Sequence, residues 1–131
     1  MVTLALGVTG FTQNKIDIVG KWKVVRVQMA AAKLSKEERA RFQSVKQSFL
    51  KSKFDFAADQ HFSFDFALKV MQIKKAHWKF SNNSKSYLIQ NWKDRLSNES
   101  ILMEVMVQER DDKIYFLVSE TPFILQVEKE L

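Results

Sequence analysis

Apolar and polar residues alternate with a period of two along most of this chain. Phe62, Phe64, Phe66 and Leu68 alternate with Ser63, Asp65 and Ala67. The same spacing links Phe54 to Phe56, Trp78 to Phe80, Ile101 through Met103 and Val105 to Val107, Ile114 through Phe116 to Val118, and Phe123 through Leu125 to Val127. Alternation of this kind marks strands with one buried face. Lys85 to Lys93 reads as a further strand, with Tyr87 and Ile89 on one face and Leu88 and Trp92 on the other. Asp59-Gln60, Asn82-Asn83-Ser84, Asp94 to Asn98, Glu109 to Asp112 and Thr121-Pro122 break the runs and supply turns. The first strand is predicted from Val19 to Met29, where Val24, Val25 and Val27 favour extended backbone. Gly20 eases the chain into it, and Trp22 adds a large ring whose N–H needs a partner once buried.

One stretch, Ser35 to Lys51, has helical periodicity. Ser35 followed by Glu38 is a capping-box pattern, and Glu37 and Glu38 suit the positive end of a helix dipole. Phe42, Val45 and Phe49 fall on one face, with Lys36, Arg39 and Lys46 largely elsewhere. So short and narrow a stripe predicts a packing face or lid.

The sum is a mainly β chain of eight strands joined by short turns, with one helix after the first strand. Consecutive strands usually pair, and closure removes the exposed edges. The expected fold is therefore an eight-stranded antiparallel up-and-down β-barrel. An open sheet is the alternative, but one helix would cover only part of it. The predicted division is an N-terminal segment, 1–17, and a barrel domain, 18–131.

Residues 1–12 carry no charge, and their apolar run resembles the core and cleavage region of a secretory signal peptide without its basic leader. That implies export to the periplasm or medium. The alternation of Val2, Leu4, Leu6 and Val8 fits equally an extra N-terminal strand, which would go with a cytoplasmic protein.

Composition narrows the picture. At 131 residues the chain is one domain able to bury a real core. Eleven Phe against two Tyr call for an interior, a cavity or a partner. With no Cys there is no disulfide scaffold, thiolate metal site or cysteine nucleophile. The net charge of +6 is uneven: residues 13–53 hold eleven Lys/Arg against three Asp/Glu, and residues 99–131 hold three against eight. Such asymmetry steers an anionic ligand or a membrane surface to the basic helix face, and the alternative reading is a solvated basic helix face opposite an acidic hairpin.

Gly20-Lys21-Trp22 at the head of the first strand, with the strand series behind it, resembles the G-x-W motif and strand order of the lipocalin and fatty-acid-binding (calycin) superfamily. The likeness spans roughly residues 18–129 and is greatest to small lipocalin-like domains of bacterial exported proteins. It implies a barrel for a small hydrophobic molecule, with Gly20 and Trp22 as a structural motif and Lys129 as the basic residue over the tryptophan. Two departures stand out. The T-D-Y-like turn before the seventh strand is Arg110-Asp111-Asp112-Lys113 here. The R-x-Y of fatty-acid-binding proteins is matched in place only by Gln126-Val127-Glu128, which has neither group.

The candidate cavity walls are Phe54, Phe56, Phe62, Phe64, Phe66, Trp78, Phe80, Met103, Val105, Phe116 and Leu125. Period two from Trp22 also sends Arg26 inward as a polar anchor, whereas a bulge would expose it. His61 and His77 lack a motif partner for catalysis or metal binding and are expected to be exposed or at a cavity rim. Lys74, Lys75, His77, Trp78 and Lys79 mix bases with a ring, but Trp78 shares the inward alternation, which argues against nucleic acid. The expectation is a non-catalytic binding protein without cofactor or metal that takes a small hydrophobic or amphipathic molecule. The competing one is a filled barrel acting through its surface.

Overall fold

In a computed structural model of the chain, described for residues 17–29, 35–67, 69–97 and 100–130, eight strands form a closed antiparallel barrel. They are β1 (Gly20–Met29), β2 (Lys53–Phe56), β3 (His61–Asp65), β4 (Ile73–Ser81), β5 (Ser86–Asn91), β6 (Ile101–Arg110), β7 (Lys113–Val118) and β8 (Phe123–Lys129). Each pairs with its neighbours in sequence, and β1 pairs with β8 to close the ring. The architecture is consistent with a lipocalin-like fold. Residues 1–16, on which the export reading falls, and Leu68 lie outside the described residues.

Helix α1 (Lys36–Phe49) follows β1. The Ser35 hydroxyl accepts from the Glu38 amide at 3.1 Å, and the Glu38 carboxylate accepts from the Ser35 amide at 3.1 Å. These bonds hold the Glu38 carboxyl below its usual range. Phe49 ends the helix inside the barrel, against Phe66 at 4.8 Å, Phe123 at 5.3 Å and Phe64 at 6.2 Å. Phe42 meets Phe123 at 5.7 Å. The predicted apolar stripe is thus a stopper over one end of the barrel.

The chain's up-and-down course sorts the connections. The β2–β3, β4–β5 and β6–β7 turns lie at one end, called here the closed end. Helix α1 and the β3–β4, β5–β6 and β7–β8 connections lie at the other, the mouth. The closed-end turns are tight. Asp111 and Asp112 both have positive φ, 54° and 66°, the signature of a two-residue hairpin turn.

Several boundaries move from the sequence reading. β3 stops at Asp65, and Phe66 is buried beyond the strand. β4 begins at Ile73, well ahead of the Trp78 to Phe80 alternation, because alternation changes phase at Lys74-Lys75. There the register shifts, and Lys75 has φ 55°. β5 ends at Asn91, and Trp92 opens a 3-10 turn, Trp92–Asp94, that folds outward over the barrel wall.

Candidate functional site

The barrel interior is filled with rings. Phe54, Phe56, Phe62, Phe116, Val105 and Leu125 are buried, and Phe116 packs on Phe54 at 5.2 Å, Trp22 at 5.5 Å and Phe56 at 6.0 Å. Phe54 meets Phe64 at 4.7 Å, and Phe56 meets Phe62 at 4.9 Å. Tilted and edge-on pairs of this kind each add about 0.5–1.5 kcal/mol beyond area burial. These expected wall residues fill the centre of the barrel with their own side chains.

The closed end is locked by the G-x-W stretch. The buried Trp22 indole donates to the Ile18 carbonyl at 2.9 Å. Lys129 lies across the ring with its ammonium 5.1 Å from the centroid, and donates to the Asp17 carbonyl at 2.9 Å. Its stem crosses Gly20, where a Cβ would come within 3.1 Å of it and where φ is 140°, a conformation open to glycine and strained for other residues. Trp78 is half-buried there, donating to the Ala57 carbonyl at 2.9 Å. A cleft of about 470 Å³ beside this lock is lined chiefly by charged residues, Asp17, Glu109, Asp112, Lys113, Glu128 and Lys129.

The mouth is different. Beside α1 an open cleft of about 470 Å³ is lined by Phe49, Phe64, Met71, Ile73, Leu102, Met103 and Val118, with Gln72, Lys74, Asn91 and Thr121 as its polar members. Each comes from a mouth-side strand end or connection. Phe64 projects inward from the last turn of β3, and Ile73 pairs with it across the β3–β4 bulge. Met103 points inward from β6, opposite Ile89 of β5, while the register of that pair also shifts near the mouth, at Ile89/Gln90. A register shift of this kind bends its strand and interrupts the ladder locally, and both fall on strands that border the cleft. An apolar-walled cleft with a few polar groups is the common make-up of small-molecule sites.

Of the expected wall, then, Phe64 and Met103 line this cleft, and Phe66 is sealed beneath Phe49. Two placements are corrected. Arg26 faces outward and is exposed, opposite Gln126. The β1–β8 register shifts between Val24 and Arg26, so Val24 and Val27 point in and the period-two count from Trp22 fails at that bulge. Phe80 is 43% exposed, because β4 carries it past the packed core to the closed-end rim, where the Tyr87 ring packs on it at 5.0 Å. Missed by the sequence reading as site residues were Phe49, Met71, Gln72, Ile73, Lys74, Asn91, Leu102, Val118 and Thr121. The lone usable signal was the phase slip at Lys74-Lys75.

The histidines meet on the outer wall as a cross-strand pair, His61 of β3 opposite His77 of β4. His61 bonds Asp59 at 2.9 Å and stacks on Trp92 at 3.9 Å, with the Arg95 guanidinium 4.7 Å from the same ring. His77, expected at the surface, is buried beside Trp92, at 5.4 Å from its ring. Burial pushes its pKa down, opposed by a bond to Gln90 and reinforced by Lys79, Arg95 and His61. Among the described residues no three His, Asp or Glu side chains gather as a metal site, and no helix is long and apolar enough to cross a membrane.

Comparison of the chain with protein-family models, with curated proteins and with solved structures finds no match.

Proposed function

We propose that this chain is a non-catalytic, lipocalin-like binding module that takes a small apolar or amphipathic molecule at the barrel mouth. The observation that carries the reading is the mouth cleft of about 470 Å³, walled by Phe49, Phe64, Ile73, Met103 and Val118. Its size falls within the range of small-molecule sites. The polar groups around it among the described residues, Gln72, Lys74, Asn91 and Thr121, suit orientation of a ligand, and neither a histidine nor a carboxylate is among the described lining residues.

The second reading, a filled barrel acting through its surface, draws on the close-packed rings of the centre. It differs from the first in one testable respect, since it has no place for a ligand at the mouth. The test is titration with Nile red, an uncharged apolar dye, followed by fluorescence. The expected result is saturable, one-to-one binding that Ile73→Asp weakens by more than tenfold, while Val25→Asp on the outer wall of β1 leaves it unchanged. Dye binding that is absent, or equal in both variants, would favour the surface reading.

A further inference from the structure

We infer that the molecule taken at the mouth is an anionic amphiphile, a single apolar tail bearing an anionic head, and that Lys74 receives the head. The inference rests on the mouth-cleft reading and adds the charge of the ligand to it.

Three observations converge. First, among the described residues Lys74 is the one charged residue lining the cleft, and none of the other described lining residues is acidic. Second, Lys74 is exposed and has no ion-pair partner: the pairs among the described residues are Lys53 with Glu130 and His61 with Asp59. Its ammonium is available to a ligand, beside a wall where Phe64, Ile73, Met103 and Val118 would cover a tail. Third, charge is polarised along the barrel axis. The described connections at the mouth carry eight Lys/Arg against four Asp/Glu, whereas the closed-end turns and chain ends carry one Lys against five Asp/Glu. Lys75, next to Lys74, adds to the mouth's positive field, and Lys69 lies in the same connection. A field of this shape raises the local concentration of an anion at the mouth and steers its approach. The closed-end cleft, of similar volume, is lined by Asp17, Glu109, Asp112 and Glu128 against Lys113 and Lys129, so its charge is net negative among the described residues and favours the same ligand less.

The test compares three probes of equal tail length, decyl sulfate, decyl maltoside and decyltrimethylammonium, each kept below its micelle concentration and titrated by calorimetry into the full chain. The expected order is sulfate, then maltoside, then ammonium, with about three- to tenfold between the extremes, the range for a partly exposed charge in a shared field. Lys74→Met should collapse that preference, losing more affinity for sulfate than for maltoside, whereas Lys85→Met at the closed end should leave the order and the affinities unchanged. Equal affinity for all three probes would overturn the charge inference and leave the mouth-cleft reading standing. A sulfate preference that survives Lys74→Met would overturn the role of Lys74. If none of the three binds, the mouth-cleft reading falls and this inference with it. Anionic vesicles that retain the protein while monomeric decyl sulfate does not bind would point to a lipid surface and would also overturn the inference.

Discussion

The two ends of this barrel are built on opposite plans. At the closed end, short turns, a buried tryptophan and a lysine stem crossing a glycine leave no slack. At the mouth, three of the four connections are longer, two strand pairs shift register, and a helix covers only part of the opening. The packed rings of the interior run between them. The difference teaches where a small barrel can place a site. Closing the sheet satisfies the backbone everywhere, so the side chains of one rim are free to vary without unravelling the strands.

Four measurements would break or sharpen this contrast. The largest effect should come from the packed centre. Phe116→Ala, which removes a ring touching Trp22, Phe54 and Phe56, should lower stability to urea by about 3–5 kcal/mol. Leu102→Ser at the exposed mouth rim should change it by less than about 0.5 kcal/mol. Similar losses from both would erase the distinction between the two regions.

Next comes the closed-end lock. Gly20→Ala places a methyl within reach of the Lys129 stem, at a positive φ. It should cost about 1–3 kcal/mol, read as a lower unfolding midpoint. An unchanged midpoint would mean that the crossing of Lys129 over Gly20 is incidental.

A smaller effect is expected at the helix. Ser35→Ala removes one half of the capping box and should cost about 1 kcal/mol. Amide exchange should quicken in α1 while β1, β7 and β8 at the closed end keep their protection. Uniform acceleration across all strands would show that the mouth does not open separately.

The smallest effect concerns pH. His77 is held neutral in the folded barrel, chiefly by burial, and the unfolded chain takes up its proton near the ordinary value of 6.5. The folded state therefore binds fewer protons than the unfolded state as pH falls below 6.5. Stability from this group is complete above 6.5 and is lost on acidification until the lowered folded value is passed, with a slope of at most about 1.4 kcal/mol per pH unit. Comparison of wild type with His77→Gln isolates the group, and the variant should lose that part of the slope. Because Trp92 packs beside His77, acid should speed amide exchange first in residues 92–97, a mouth connection, before the closed end responds.

The pattern of residues by itself determined the barrel. Phe62, Phe64, Phe116 and Leu125 alternate with polar neighbours, and one apolar face per strand, with short turns between, leaves closure as the solution that covers every ring. The helix start was equally legible, because Ser35 and Glu38 form their cap within four consecutive residues. What only the tertiary structure decided was where an unfilled space remains and who borders it. A bulge reverses the side of every residue beyond it, which turned Arg26 outward on β1 and moved the phase at Lys74-Lys75 on β4. The cleft is assembled from Phe49, Phe64, Ile73, Met103 and Val118, residues far apart in sequence whose meeting depends on how completely α1 covers the opening. Local alternation tells a side chain which face it belongs to; only the packed whole tells it whether that face has been filled.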